Sequence, residues 1–157
     1  MKQTPDLDKA QQNMRPGVIT RNGFLGEDRR NLIDVLIDDE ARVRRLGVTH
    51  AAIATRMREL RAAGVRGLGE TISVAPHYEV RVDSVRGRLP CPFVHKGLYP
   101  KTNVTVRNLK RDREVTFTDL GIHMIEAHGF YEGLGGDFRL DPEDLVAVLD
   151  VETVTED

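Results

Sequence analysis

Residues 103–129 read NVTVRNLKRDREVTFTDLGIHMIEAHG, and this stretch decides the fold. Apolar and polar residues alternate over residues 103–107 and again over residues 114–118, which predicts two half-buried strands. Residues 108–112 between them, NLKRD, predict a hairpin loop, so these strands are expected to be antiparallel. Residues 119–128 then carry apolar side chains around most of a helix, and Gly129 is the expected stop. The stretch therefore predicts a hairpin that feeds directly into a buried helix.

The flanking sequence adds one more strand and three more helices. Residues 78–83 alternate with the same period of two, and this predicts a third strand. Apolar residues at helical spacing predict helices over 27–46 and about 50–63, joined by a short turn. Asp141, followed by a proline and two acidic residues, predicts the cap of a last helix. We expect an α+β fold in which a small three-stranded, mostly antiparallel sheet packs against helix 119–128, with an N-terminal helical hairpin and a C-terminal helix.

The chain length and its ends predict one domain with two appendages. A chain of 157 residues is long enough to bury a core of its own. Residues 1–16 are polar and contain two prolines, which predicts a mobile N-terminal tail. We therefore expect a single α+β domain over residues 17–150, followed by an acidic C-terminal end over residues 151–157.

The composition excludes several classes of protein. Apolar residues make up 39% and charged residues 31%, which is typical of a soluble globular protein and too apolar for a wholly disordered one. The sequence has no long apolar run, so no transmembrane span is expected. One cysteine excludes an internal disulfide framework and fits a reducing compartment, which predicts a cytoplasmic protein.

Charge is distributed unevenly along the chain. The net charge is −2, yet residues 81–113 contain nine basic residues and only two acidic ones, a balance of +7. Residues 137–157 contain eight acidic residues and one arginine. The basic region predicts either pairing with the acidic end or a surface for an anionic partner, which could be nucleic acid or an acidic protein. Within it, prolines and glycines over residues 86–102 predict a long irregular loop, and loops of this length are commonly functional.

One acidic residue breaks the apolar pattern of the first predicted helix. Asp39 falls on the stripe that should face the core. A buried carboxylate needs a partner, so we expect an arginine to pair with Asp39.

Four residues have the chemistry and the spacing of metal ligands. Cys91 and His95 form a C-x3-H pair in the proline-rich loop, and His123 and His128 form an H-x4-H pair in helix 119–128. Zinc takes four nitrogen or sulfur ligands in a tetrahedron, and helical histidine pairs are a common source of two of them. Histidines five residues apart on an ideal helix point about 140° apart, which is poor for chelation. A distortion of the last turn, next to Gly129, could close that gap.

Three functional hypotheses follow from these four residues. The first is a non-catalytic domain with a structural zinc, which presents the basic region 81–113 to an anionic partner. The second is a metal-dependent hydrolase, in which one histidine is not a ligand and Glu126 is the catalytic base that activates a zinc-bound water. The third is an interaction module without metal, in which the histidines and Cys91 are hydrogen-bonded or buried core residues. Outside these three, Cys91 could be a metal-free nucleophile whose thiolate is favoured by basic neighbours.

Overall fold

The computed structural model describes residues 2–153, which form five α-helices and one four-stranded sheet. In chain order the elements are α1 (Pro5–Asn13), α2 (Leu32–Arg45), α3 (His50–Gly64), β1 (Ile72–Val74), β2 (Tyr78–Pro90), β3 (Leu98–Asn108), β4 (Arg113–Thr118), α4 (Asp119–His128) and α5 (Pro142–Leu149). The predicted α+β class is confirmed, and α4 has the bounds that its sequence predicts. Within residues 2–153 no helix has the length and apolar character needed to cross a membrane.

The sheet is an antiparallel meander with the strand order β1-β2-β3-β4. The prediction of three strands is therefore wrong by one strand. β1 has only three residues and pairs with the start of β2, with Ile72 opposite Val80. A three-residue strand is too short to show the alternation by which the other strands were predicted.

β2 and β3 extend well beyond their neighbours as a two-stranded ribbon. β1 pairs only with residues 78–80 and β4 only with residues 103–108, so residues 84–90 and 98–102 pair with each other alone. We call these two segments the ribbon, and residues 91–97 between them the tip loop. The irregular loop predicted over 86–102 is therefore mostly strand. A strand at a sheet edge tolerates proline because the missing N–H is not needed for pairing, and both strands of the ribbon are edges.

One face of the sheet packs against α3, α4 and α5 to form the larger of two apolar clusters. We call this cluster the sheet core. Its buried members are aliphatic apart from two tyrosines, a phenylalanine and a methionine, and they include Ile53, Leu60, Val80, Val104, Val106, Phe117, Ile125, Leu145 and Leu149.

The second cluster joins the ribbon to the N-terminal part of the chain, and we call it the ribbon core. Its buried members are Ala10, Met14, Phe24, Leu32, Val35, Cys91, Leu120, Met124 and Phe130. Leu89 and Tyr99 of the ribbon pack against it. The expected mobile tail is therefore wrong for residues 5–14, because α1 is helical and Ala10 and Met14 are almost completely buried.

Two glutamines fix α1 against the start of α2. The side-chain oxygens of Gln3 and Gln11 accept hydrogen bonds from the backbone N–H groups of Ile33 and Leu32, at 2.8 and 3.0 Å. These bonds satisfy donors that the first turn of a helix leaves free, and Asn31 at the N-cap makes no such side-chain bond. The helix accordingly begins at Leu32, later than the predicted residue 27.

The predicted partner of Asp39 is Arg139. Its guanidinium binds both carboxylate oxygens, at 2.7 and 3.0 Å, and the Asp39 side chain is 1% exposed. At the C-terminal end Val151 is buried in the sheet core, so the predicted acidic end begins with a packed residue. Residues 154–157 of that end lie outside the described part of the chain.

Candidate metal centre

The four predicted ligands converge in space. One donor atom from each of Cys91, His95, His123 and His128 lies within 4.8 Å of the other three donor atoms. Two of these residues come from the tip loop and two from α4. The cluster therefore joins the tip loop, at the end of the ribbon, to α4. These four residues can accept a metal ion.

His95 lies between the two helical histidines. Its Nε2 is 2.8 Å from Nε2 of His123 and 3.2 Å from Nε2 of His128. α4 stays helical through His128 and ends at Gly129, whose φ of 63° is the left-handed conformation common at helix ends. The expected distortion of the last turn is thus not needed, because both side chains reach towards the same third imidazole.

The ring of His95 is oriented by the backbone of its own loop. Its Nδ1 lies 3.0 Å from the carbonyl oxygen of Lys96, and since a carbonyl only accepts, Nδ1 carries the proton and donates. The Nε2 lone pair of a neutral His95 is then free to face the other two histidines. A hydrogen bond from the second ring nitrogen to a carbonyl is the usual outer support of a metal-bound histidine.

Aromatic rings hold the two helical histidines in place. Phe93 stacks on His128 with ring centroids 4.1 Å apart and an interplanar angle of 9°. Tyr99 stacks on His123 at 4.4 Å and 25°. Phe93 also makes an edge contact with Phe130 of the ribbon core. The rings restrict the histidine rotamers, so the donor atoms converge without a large cost in side-chain entropy.

Cys91 is the most buried member of the cluster. It is 4% exposed, and burial raises the pKa of its thiol, while a hydrogen bond from the backbone of Phe93 opposes that rise. The tip loop is anchored close by, where the side chain of Asn13 donates to the carbonyl of Pro92 at 3.0 Å. A raised pKa is the opposite of what a free nucleophilic thiolate needs. A buried thiol of this kind becomes a ligand when a metal displaces its proton.

The histidines of α4 are neutral near pH 7. Burial lowers the pKa of His128 to about 4, with further lowering from the imidazoles of His123 and His95. Burial and then His95 also lower the pKa of His123. Neutral imidazole is the form that binds metals.

Glu126, the predicted base, faces a cation. Both of its carboxylate oxygens accept from the guanidinium of Arg58, at 2.5 and 2.8 Å, and this pairing lowers the pKa of Glu126. It is not one of the four residues whose donor atoms converge. A carboxylate in this state is a weak proton acceptor.

Sequence reasoning found the four donors and missed their supports. Phe93, Tyr99 and the Lys96 carbonyl orient the three rings, and nothing in the sequence alone distinguishes them from ordinary loop residues.

The other two histidines lie elsewhere. His50 Nε2 is 2.6 Å from Glu40, and His77 Nε2 is 2.7 Å from Asp150. Neither belongs to the four-residue cluster.

Comparisons of the chain with protein-family models, with curated proteins and with solved structures find no match.

Proposed function

We propose that the chain is a zinc-binding domain in which Cys91, His95, His123 and His128 hold one structural zinc ion. The observation that carries the proposal is the convergence of four donor atoms from two elements that are far apart in the sequence. The zinc would fasten the tip loop to α4. The ribbon would then be held at both ends, by the sheet at one and by the metal at the other.

The donor set favours zinc over harder cations. One thiol and three imidazoles offer soft and intermediate donors, whereas magnesium and calcium prefer oxygen ligands. A tetrahedral zinc with Zn–N bonds of about 2.0–2.1 Å places ligand nitrogens about 3.3 Å apart. The Nε2 atom of His95 lies 2.8 Å from that of His123 and 3.2 Å from that of His128. Small side-chain movements would accommodate the ion.

A structural role fits better than hydrolysis. Four protein ligands complete the zinc tetrahedron and leave no position for water, whereas catalytic zinc sites keep one open. The alternative hydrolase requires one histidine to stay off the metal and Glu126 to act as base. The pairing of Glu126 with Arg58 argues against that role.

The ribbon and its tip loop would present positive charge to an anionic partner. Arg86, Arg88, Lys96 and Lys101 are exposed, and none of them makes an ion pair with another residue of the described part of the chain. No acidic residue occurs between Asp83 and Asp112. Three other cations of the basic region are paired within the fold, in the pairs Arg81–Asp83, Arg107–Asp112 and Arg113–Asp144. Of the six cations of this region that make no ion pair with another described residue, four therefore lie on the ribbon and tip loop, and Lys110 and Arg111 lie in the loop between β3 and β4.

Metal analysis tests the zinc site. We expect about one zinc per chain by plasma mass spectrometry of untagged protein purified without chelators. The variants Cys91→Ser and His123→Ala should both lose it, because one ligand lies in each half of the site. His77→Ala is the matched control and should keep its metal, since His77 pairs with Asp150 away from the cluster.

Metal content and the spectrum of the cobalt-substituted protein together distinguish the three functional hypotheses. Wild type without metal would overturn the zinc proposal and leave the metal-free interaction module. Replacing the zinc by cobalt then tests whether all four coordination positions are filled by protein ligands. An intense tetrahedral spectrum with a thiolate band that disappears in Cys91→Ser supports four protein ligands, and a spectrum that changes when small anions bind would indicate an open position and favour the hydrolase.

Polyanion binding tests the basic ribbon. We expect binding of a short DNA duplex or of poly-L-glutamate at low salt that weakens steeply as salt rises. The double variant Arg86→Glu, Arg88→Glu should weaken it by roughly tenfold or more, because two favourable contacts become repulsive. Arg66→Glu is the control, since Arg66 is an exposed arginine outside the ribbon. If both variants lost the same affinity for the polyanion, binding would depend on net charge alone, and this would contradict a role for the ribbon.

A further inference from the structure

A cavity of about 320 Å³ lies between the ribbon, α4 and residues 20–24. Leu89 of the ribbon, Phe24 and two residues of α4, Leu120 and Met124, supply apolar walls. None of the four proposed zinc ligands lines it. An inference drawn from this cavity therefore stands apart from the zinc proposal.

A buried carboxyl group without a partner lines the same cavity. Glu132 is 7% exposed, and its side chain makes no hydrogen bond or ion pair with any other residue between 2 and 153. Arg139 is close, but its guanidinium binds the carboxylate of Asp39 and the backbone carbonyl of Glu132. The cation that could have neutralised Glu132 is therefore already engaged.

The backbone at Glu132 is also unusual. Its φ of 68° lies in the left-handed region, which is unfavourable for a residue with a side chain. A strained, buried and unpaired carboxyl lowers the stability of the fold unless something binds to it. Burial and the neighbouring Asp137 raise the pKa of Glu132 to about 8, as expected for a carboxyl that lacks a cation.

We propose that this cavity binds a small primary amine with an apolar body, whose ammonium group is received by the carboxylate of Glu132. The apolar body would lie against Phe24, Leu89 and Met124, and Asp137 would add a second negative charge near the ammonium group. On binding, the ammonium group supplies the missing cation, and any proton held by Glu132 passes to solvent.

The size and the rim of the cavity define the ligand further. A water molecule takes about 30 Å³ in the liquid, so the cavity has room for a ligand of roughly ten non-hydrogen atoms. Arg21 and Lys101 also line it, but both are exposed, and neither forms an ion pair with Glu132. Glu132 is thus the buried charged residue of the lining, so the amine would be received there rather than at the exposed cations.

Methyl NMR with three probe molecules tests the proposal on the full-length chain. The probes are 2-phenylethylamine, the neutral 2-phenylethanol and the anionic 3-phenylpropionate, which share an aromatic body and differ in the polar group. We expect the amine to shift the methyl signal of Met124, which lines the cavity, and to leave that of Met57 in the sheet core unchanged. The amine should bind about tenfold or more tightly than the alcohol, and the anion more weakly still.

Two glutamine variants decide whether Glu132 is responsible. Glu132→Gln keeps the size of the side chain and should weaken amine binding about tenfold while leaving alcohol binding unchanged. Glu70→Gln removes an exposed carboxylate outside the cavity and should change neither. A methyl signal of Met57 at its wild-type position would show that each variant is folded. Equal affinity for amine and alcohol, unchanged amine binding in Glu132→Gln, or shifts at Met57 as large as those at Met124 would each overturn the proposal.

Discussion

The sheet core and the ribbon core are held together by different means. Among the described residues the sheet core has 20 buried members and the ribbon core nine. Apolar burial in the sheet core is spread over a sheet face and three helices, which is enough to stabilise a domain. The ribbon core adds specific polar contacts, namely the glutamine bonds from α1 to α2, the Asn13 bond to the tip loop, and the Cys–His cluster. A small apolar cluster needs such additional links, just as small domains need metals or disulfides.

Metal removal should produce the largest difference between the two cores. If the zinc proposal holds, a chelator will free the tip loop from α4, and the ribbon will be held by the sheet alone. Apparent binding free energies of structural zinc reach about 10–16 kcal/mol in zinc-finger peptides. We therefore expect metal removal to lower the free energy of unfolding more than any single substitution does. Hydrogen exchange should become faster over residues 84–102 and in α1, whereas residues 103–108 of β3 and β4 should keep their slow exchange. Uniform acceleration throughout the domain would mean that the two cores unfold as one.

The ion pair of Asp39 and Arg139 should give the next largest effect. α2 contributes Leu32 and Val35 to the ribbon core and Val43 to the sheet core, and Asp39 lies between them. We expect Asp39→Ala to lower the free energy of unfolding by about 3–5 kcal/mol, because it leaves the guanidinium of Arg139 buried without its counter-ion. Urea denaturation monitored by circular dichroism measures this loss.

A double variant separates the charge from the packing. Replacing Asp39 and Arg139 together by methionine removes both charges and should recover much of the loss. If the double variant were as unstable as Asp39→Ala, the contribution of Asp39 would be packing rather than pairing.

Ile125 tests the sheet core alone. This residue is completely buried on α4 between His123 and His128, but it faces the sheet. Ile125→Ala should cost about 2–5 kcal/mol of unfolding free energy, through lost apolar burial and the cavity that remains. The loss should be the same with and without chelator, since Ile125 stabilises the core that does not depend on the metal. A loss that appears only in the metal-loaded protein would show that the cores are coupled through α4.

The elements that could be predicted from the sequence are those with local signals. Thr118 caps α4 by accepting from the Gly121 N–H, Gly129 ends it, and both signals are in the sequence. The prediction that an arginine pairs with Asp39 followed from the free-energy cost of burying an unpaired charge. The four metal-ligand candidates rested on donor type and spacing, and their convergence needed the three-dimensional fold.

The elements that could not be predicted depend on contacts between distant segments. α1 has one buried residue, Ala10, and Met14 is buried at its C-cap, which is too few to make a helical stripe in a polar segment. The ribbon contains Pro90 and Pro100, which predict irregular structure unless the strand has a free edge. Glu132 lies in a glycine-rich segment, and neither its burial nor its lack of a partner has a sequence signature.

The smallest expected effect is a pH dependence at the edge of the ribbon core. Asp28 precedes α2 and accepts from both the side chain and the backbone of Arg30 and from the backbone N–H of Leu134. The Arg30 guanidinium holds the pKa of Asp28 at about 2, below its usual value of 3.8. The folded state therefore favours the ionised carboxyl. The stabilisation is complete above about pH 5 and is lost as the pH falls from about 4 towards 2.

Comparison with Asp28→Asn isolates this contribution from other groups that titrate in acid. Arg30 is partly exposed, so the full shift overstates the gain, and we expect wild type to exceed the variant by about 1–2 kcal/mol at pH 6. The difference should shrink to a small fraction of this value at pH 2, where about half of the Asp28 side chains in the folded protein are protonated. Urea denaturation at each pH, with a chelator present throughout, keeps metal loss out of the comparison. A gap that stayed constant with pH would assign the stabilisation to hydrogen-bond geometry, which asparagine alters, and not to the charge of Asp28.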